Sequence, residues 1–522
     1  MGALLGTLLS FQNNRTMVEH PDFKARITYG TVNIQITEDE ADRSGTYRVA
    51  NISAEEHDVC FNQWYHQTNA LQRVERQCEV SATRRAIAYR TVARVAKETK
   101  VDEKGKERTF EVTHLNEPSY LTYGELWDHI VSFGKGLAEL GLPKRAKVAL
   151  YEDTRWEWIT SMLGLWTQEM IGVTIYANLG HDALIYALRE SECSAIICNG
   201  KNASKLVQLL HEGHVAENTI IYLDELATDV DPSQHRLLRW GEVVQMGHSS
   251  TKPHTVVSNN DFEGLIMYTS GTTGNPKGVV HSLGSVTQGA RGLNDRLTEL
   301  LGVTEGETYV AFLPAAHIFE FVCEVIMLMR GTLLCYGSPR TLMDVFARPC
   351  GDLSQFKPFF LIGVPRIFET IKKTAEGRMP PLGSLKRQIF ERAYESRLAA
   401  LRAGMDTPFW NNKVFALPRS LLGPNIRGVC SGGAPLADKT QEWVNVVLGT
   451  PIAQGYGMTE TVCNTTVQRT GELDCVPGSC CAASRCGCWT RTATSTRTTR
   501  TPAGSCSCGA SSCSRATTSR PR

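Results

Sequence analysis

Between Tyr268 and Gly278 the chain reads Tyr-Thr-Ser-Gly-Thr-Thr-Gly-Asn-Pro-Lys-Gly, with four hydroxyl side chains (Thr269, Ser270, Thr272, Thr273), three glycines and Lys277 within ten positions. Glycines such as Gly271 and Gly274 allow φ > 0 and close approach, so several backbone N–H groups and hydroxyls can turn towards one anion. Lys277 adds a point charge suited to the outer groups of a polyphosphate. The Walker pattern does not fit, because Pro276 precedes the lysine and Gly278 follows it. A polar surface loop is the plain alternative. A second stretch, Gln454-Gly-Tyr-Gly-Met-Thr-Glu-Thr461, offers a ring in Tyr456, a hydroxyl in Thr459 and a carboxylate in Glu460, with Gly455 and Gly457 permitting a tight turn. A carboxylate there suits a hard cation held between phosphate oxygens; a hairpin turn with a chance glutamate is the alternative. In Ser431-Gly-Gly-Ala-Pro-Leu436, Gly432 and Gly433 let the backbone approach a flat ligand closely. His317, in Leu313-Pro-Ala-Ala-His-Ile-Phe-Glu320, stands among apolar neighbours and taken alone reads as a satisfied core histidine.

The loop at 268–278 resembles the signature of the adenylate-forming enzymes, which include acyl-CoA synthetases, luciferases and peptide-synthetase adenylation domains, and the other three stretches resemble its companion motifs. Within that superfamily the chain is most similar to the long-chain acyl-CoA synthetases, through Leu121-Thr-Tyr-Gly-Glu-Leu-Trp127, Phe133-Gly-Lys-Gly-Leu137, Ala316-His-Ile-Phe-Glu320 and Val364-Pro-Arg-Ile-Phe-Glu369. The resemblance covers residues 120–478 and, more loosely, the segment before them. It implies a carboxylate attacking the α-phosphate of ATP, with Mg²⁺, to give acyl-adenylate and pyrophosphate, and coenzyme A then taking the acyl group. By resemblance, Thr269 to Gly274 and Lys277 cradle the phosphates. Gly432 and Gly433 lie along the adenine and acyl group, and Gln454, Gly455, Tyr456 and Gly457 around the adenine. Thr459 sits near the α-phosphate, Glu460 with Thr272 holds Mg²⁺, and His317 borders the acyl pocket. A packing or gating role for His317 is as open as proton transfer.

Hydrophobic periodicity supplies the elements that must position these residues. Leu126, Ile130, Phe133, Leu137 and Leu140 recur at helical spacing, and Gly141 stops the helix. Apolar runs at 147–151, 173–176, 195–198 and 219–223 alternate with helical stretches such as 156–170 and 183–189. The alternation resumes with strands at 308–312, 332–336, 359–363 and 426–430 and helices at 317–329, 366–376 and 437–447. This predicts an α/β fold, the large body of an adenylate-forming enzyme, with parallel sheets flanked by helices. Ligands of such sheets gather where strands end and loops enter helices, which is where the motifs fall. Residues 1–119 read as a covering segment of the body. A strand is expected around 28–36, partial helix in 56–86 and a solvated charged turn at 102–108. Residues 379–424, with Pro380-Pro381 and a basic helical run at 386–402, read as an insertion into the 120–478 body.

Composition narrows the function further. Residues 479–522 hold seven Arg and no Lys, Asp or Glu, so the overall charge of +1 conceals a mildly acidic body that gives no reason to expect nucleic-acid binding. Nine cysteines are scattered before residue 475 and read as reduced thiols of a cytoplasmic protein; eight crowd the remainder. No apolar run is long and uninterrupted enough to span a membrane, and peripheral contact with an intracellular membrane stays open. After residue 478 the resemblance stops, and with it the expected ribose-binding Asp and the small C-terminal lobe with its catalytic Lys. Residues 480–522 contain no Leu, Ile, Val, Phe, Met or Tyr, which predicts disorder. Their vocabulary is what G/C-rich codons spell one nucleotide out of frame after Pro477. A metal-binding tail built on Cys480-Cys481, Cys486-x-Cys488 and Cys506-x-Cys508 is the competing reading, without the ligand spacing of a zinc site. On this reading activity is impaired, and a non-catalytic nucleotide- or acyl-binding remnant is the alternative function.

Overall fold

The structure is a computed structural model. It describes residues 68–101, 107–213, 219–226, 230, 236–269, 275–302, 306–377 and 379–468, with short strand pieces at 18–19, 33–35, 47–49, 479–480, 486–488, 506–508 and 515–516. Helix α1 (Ala70–Val80) leads to strand β1 (Arg85–Tyr89), a hairpin of β2 (Val92–Val101) and β3 (Glu107–Leu115), and β4 (Ser119–Thr122). Helix α2 (Tyr123–Glu139) begins where Thr122 and Glu125 form a reciprocal capping box, the Thr122 hydroxyl accepting from Glu125 N–H and the Glu125 carboxylate from Thr122 N–H.

Strands β5 (Lys147–Tyr151), β6 (Ile171–Thr174), β7 (Ala195–Asn199), β8 (Thr219–Leu223) and β9 (Leu237–Arg239) then alternate with α3 (Trp156–Trp166), α4 (His181–Ser191) and α5 (Gly200–His211). After α6 (Trp240–His248) come β10 (Leu265–Thr269) and β11 (Lys277–His281). These strands form one sheet in the order β9-β8-β7-β5-β6-β10-β11, parallel except for the last pair.

A second sheet follows α7 (Leu283–Leu301). It comprises β12 (Thr308–Ala311), β13 (Leu333–Tyr336), β14 (Phe360–Gly363), β15 (Gly428–Ser431) and β16 (Ile452–Tyr456), with α8 (Ile318–Met329) and α9 (Pro365–Glu376) between them. The order β16-β15-β14-β12-β13-β1-β4 is parallel from β16 to β1. Chain direction across this sheet reverses at β12, since β13 lies on one side of it and β14 on the other; open sheets bind ligands at such a switch point. The fold class is thus as expected, an α/β body of parallel-containing sheets flanked by helices.

Helix α3 is buried along its whole length and α8 from Ile318 to Leu328. Phe321 on α8 sits edge-on to Trp158 and Trp166 on α3, with centroids 5.9 and 6.0 Å apart, so the helices of the two sheets share one core. Each such ring contributes about 2 kcal/mol by burial and each edge contact about 1 kcal/mol more. Glu320 and Glu324 interrupt the apolar pattern of α8 yet are fully buried. Tyr309 Oη and Leu313 N–H donate to Glu320 at 2.8 and 3.0 Å, and Tyr336 Oη donates to Glu324 at 2.6 Å. Burial pushes both carboxyls up, Glu324 to about 8.

Local outcomes differ from the sequence reading in three places. The stretch after 437 turns from α-helix (Asp438–Trp443) into a π turn (Val444–Leu448). Helix α3 stops at Trp166, where Thr167 N–H closes back on Leu163. The hairpin β2–β3 was not expected at all: its strands are mostly polar and exposed, so no apolar alternation marked them. Of the expected strand at 28–36 only Asn33–Gln35 is described, and residues 102–106 of the charged turn lie outside the described residues. Most of 479–522 also lies outside them. Among the described pieces, Cys486–Cys488 pairs with Cys506–Cys508 and Arg515–Ala516 with β11. Eight of the nine scattered cysteines are described, all as free thiols, and Cys60 lies outside the described residues.

Candidate active site

The strands on either side of 270–276 are antiparallel neighbours, so a strand, β11, and not a helix follows that segment. Thr269 pairs with Lys277 across β10 and β11, and the Thr269 hydroxyl donates to the Lys277 carbonyl at 3.4 Å. Lys277 therefore sits on a strand, exposed; Ser270, Gly271, Thr272, Thr273 and Gly274 lie outside the described residues. Ser282 then caps α7, its hydroxyl accepting from Ser285 N–H.

Strand β11 packs against the turn Thr459–Thr461, which places the strand of Lys277 beside the turn of Glu460. That 3-10 turn is closed by Met458 N–H donating to Thr461 Oγ1 at 3.0 Å and by Val462 N–H donating to the Thr459 carbonyl at 3.1 Å. Val462 and Cys463 leave it with φ of 50° and 79°, a region that β-branched residues avoid and that costs on the order of 1–3 kcal/mol each. Asn464 anchors the strained segment by donating to the Gly289 carbonyl of α7 at 2.8 Å. Gly457 has no alternative: a Cβ there would stand 1.6 Å from the Cys463 carbonyl oxygen. Behind the turn, burial pushes His281 down to about 4, with the Thr459 backbone opposing in part, so its imidazole is neutral.

Seven of the residues singled out from sequence line one cavity of about 190 Å³: His317, Gly432, Gly433, Gly455, Tyr456, Gly457 and Thr459. Tyr456, at the end of β16, is 38% exposed and offers a ring face at the rim. Gly433 holds φ of +81° between β15 and the following helix, where a side chain would be strained. Gln454 does not line this cavity; its side chain accepts from Leu436 N–H at 3.0 Å and donates to Gln441 at 2.5 Å, bracing the segment of Gly432 and Gly433 against β16. His317 is the N-cap of α8, its Nδ1 accepting from Phe319 N–H at 3.1 Å, which leaves the proton on Nε2. Burial lowers its pKa, so the ring is neutral.

His317, Phe319 and Gly433 also line a second, larger cavity of about 560 Å³. Its walls include Leu313, Leu342, Met343, Phe346, Ile367 and Ile371, with Arg366 and Thr370 as polar exceptions, a mainly apolar chamber against α9. The resemblance implies an acyl pocket beside His317, but sequence reasoning named none of these residues as its walls, although Val364-Pro-Arg-Ile-Phe-Glu369 carries part of the family likeness. It also missed Cys430, Met458, Cys463 and Asn464 in the smaller cavity; nothing in their types signals a ligand contact.

Glu460 is half-buried, and among the described residues no group of three His, Cys, Asp or Glu could hold a metal ion. One carboxylate beside β11 suits an ion that takes most of its ligands from other molecules and water, as Mg²⁺ does.

Residues 98–489 match the AMP-binding enzyme family. The chain is 34% identical over 375 residues to long chain acyl-CoA synthetase 8 of Arabidopsis thaliana, covering 69% of this chain and 51% of that protein. It is 30% identical over 396 residues to long-chain-fatty-acid–CoA ligase 1 of Schizosaccharomyces pombe, covering 72% and 57%. The chain thus spans about half the length of these relatives. Among solved structures, a benzoate CoA ligase from Burkholderia xenovorans has a TM-score of 0.57 at 17% identity, covering 80% of this chain and 67% of that one. A long-chain-fatty-acid-CoA ligase from Archaeoglobus fulgidus has 0.56 at 17%, covering 79% and 68%. At that identity these structures establish the fold.

Proposed function

The chain belongs to the AMP-binding enzyme family, and from that premise we propose that its two adjoining cavities serve the activation of a long-chain fatty acid with ATP. One observation carries the reading: motif residues from separate stretches line a small cavity that abuts an apolar chamber across His317, Phe319 and Gly433. A carboxylate at that boundary would have its hydrocarbon chain in the chamber and its oxygens towards Thr459.

The reaction is attack of a carboxylate oxygen on the α-phosphorus and departure of pyrophosphate, giving acyl-adenylate; coenzyme A then displaces AMP to form the thioester. The residues act by positioning and charge neutralisation rather than by covalent catalysis. Lys277 and the hydroxyls of 269–273 take the phosphates, Tyr456 and the backbone at Gly432 and Gly433 take the adenine, and Thr459 orients the α-phosphate. Glu460 with Thr272 would hold Mg²⁺, which neutralises phosphate charge when bound. His317, neutral and committed through Nδ1 to capping α8, orients the boundary between the cavities and can donate only from Nε2.

A second reading is favoured by the last 44 residues. They contain no Lys and no Asp. On it, the chain as written binds nucleotide or acid without turning them over. Acid-dependent ATP–pyrophosphate exchange separates the two: exchange that rises with a long-chain acid and is lost in Glu460→Gln supports the enzyme, and binding of ATP and acid without exchange supports the remnant. Among the described residues no helix is long and apolar enough to cross a membrane, and we read contact with a bilayer as peripheral.

A further inference from the structure

Residues 379–424 carry none of the groups proposed for the chemistry, yet they hold the two most exposed large hydrophobic side chains among the described residues, Leu382 at 83% and Leu417 at 74%. Leu385 is 58% exposed. Scattered leucines need no explanation, but Leu417 lines an apolar groove of about 300 Å³ with Met379, Ile389, Phe390, Val414 and Leu421, and Leu382 and Leu385 fall in the chain between two more of its lining residues, Pro380 and Lys386. Lys386 and Lys413, both exposed, also line it. The segment is basic as a whole, with seven Lys and Arg against Glu391, Glu395 and Asp406. Two of its three acidic groups are engaged nearby, Glu391 by Arg387 and Asp406 by the buried Arg397, and the third, Glu395, is exposed. Exposed leucines beside exposed lysines match the two layers of an anionic lipid surface, headgroup charge outside and acyl chain within.

The groove also adjoins the proposed acyl site along one element. Ile367 and Ile371 of α9 line the apolar chamber and Ala375 lines the groove. Residues spaced by four share a helix face, so chamber and groove are one turn, about 6 Å, apart on the same stripe.

We propose that residues 379–424 form a docking surface for bilayers bearing anionic lipid, with Leu382, Leu385 and Leu417 entering the headgroup layer and Lys386 and Lys413 meeting its charge. The surface stands on its own residues; only its purpose, admitting a water-insoluble acid near the chamber, rests on the function proposed above.

Co-sedimentation of the full chain with vesicles, in the absence of ATP and acid, tests it. The chain binds vesicles of phosphatidylcholine mixed with phosphatidylglycerol, binds pure phosphatidylcholine far less, and is released as salt is raised. The pairs Leu382→Ser with Leu417→Ser and Lys386→Glu with Lys413→Glu each lower partitioning by at least about tenfold, with melting and ATP binding like the parent's. Equal binding of parent and variants overturns the proposal, as does indifference to lipid charge. So does a leucine pair whose only effect is loss of a concentration-dependent dimer, since the face would then belong to a second copy. Vesicle binding without pyrophosphate exchange leaves the surface standing and sinks only the activation reading.

Discussion

The two cavities that meet at His317, Phe319 and Gly433 are made in opposite ways. The smaller is framed by backbone turns: the glycine pair after β15, the strained exit at Val462 and Cys463, and the close approach of Gly457 to the Cys463 carbonyl. The larger is walled by apolar side chains from the β12–α8 connection, the 339–346 segment and α9. A turn that presents backbone groups restricts which residues can stand at adjacent positions. An apolar wall accepts any hydrophobe of suitable volume from any element that reaches it. The first kind of site therefore writes itself into contiguous motifs, and the second does not.

Substitutions can break that contrast, beginning with the largest expected effect. Gly457→Ala forces a methyl group onto the Cys463 carbonyl, and ATP binding measured by calorimetry should vanish; unchanged binding would remove the turn from the site. Glu460→Gln keeps the shape and loses the charge, so exchange should fall by about 10²–10³-fold, with weaker dependence on Mg²⁺. For His281 the contrast is read in stability. Its folded pKa of about 4 lies below the ordinary value of 6.5, so the unfolded chain takes up the proton first as pH falls. The associated stability, up to about 3 kcal/mol, is present above pH 6.5 and drains away between about 6.5 and 4. His281→Asn should flatten that acid limb in denaturant titrations at several pH values, and an unaltered limb would assign it to other groups.

Smaller effects sharpen the comparison. Phe346→Ala should weaken binding of the longest acids by about tenfold and leave ATP untouched, because Phe346 lines only the larger cavity. His317→Ala removes the α8 cap and should cost about 1 kcal/mol in thermal stability, while His317→Asn, which can still cap, restores most of it. If both variants melt alike, the cap contributes nothing and the ring matters only to the cavities.

Much of the fold was legible because its signals are local. Leu126, Ile130, Phe133 and Leu137 marked α2 by spacing alone. The hairpin β2–β3 was illegible because its strands are polar on exposed faces, held by one another more than by a core. Residue types likewise raised the expectation of a phosphate-binding stretch at 268–278, but they did not show that Lys277 stands on a strand opposite Thr269.

The sequence by itself determined which short stretches could bear chemistry and that strands and helices alternate, since backbone propensity, capping and glycine freedom act over a few residues. Only the tertiary structure decided that β11 lies beside the turn of Glu460, that Gln454 braces rather than lines the cavity, and that an apolar chamber adjoins it. Those outcomes depend on the order β16-β15-β14-β12-β13 and its reversal at β12, and that order is set by packing between residues far apart in the chain.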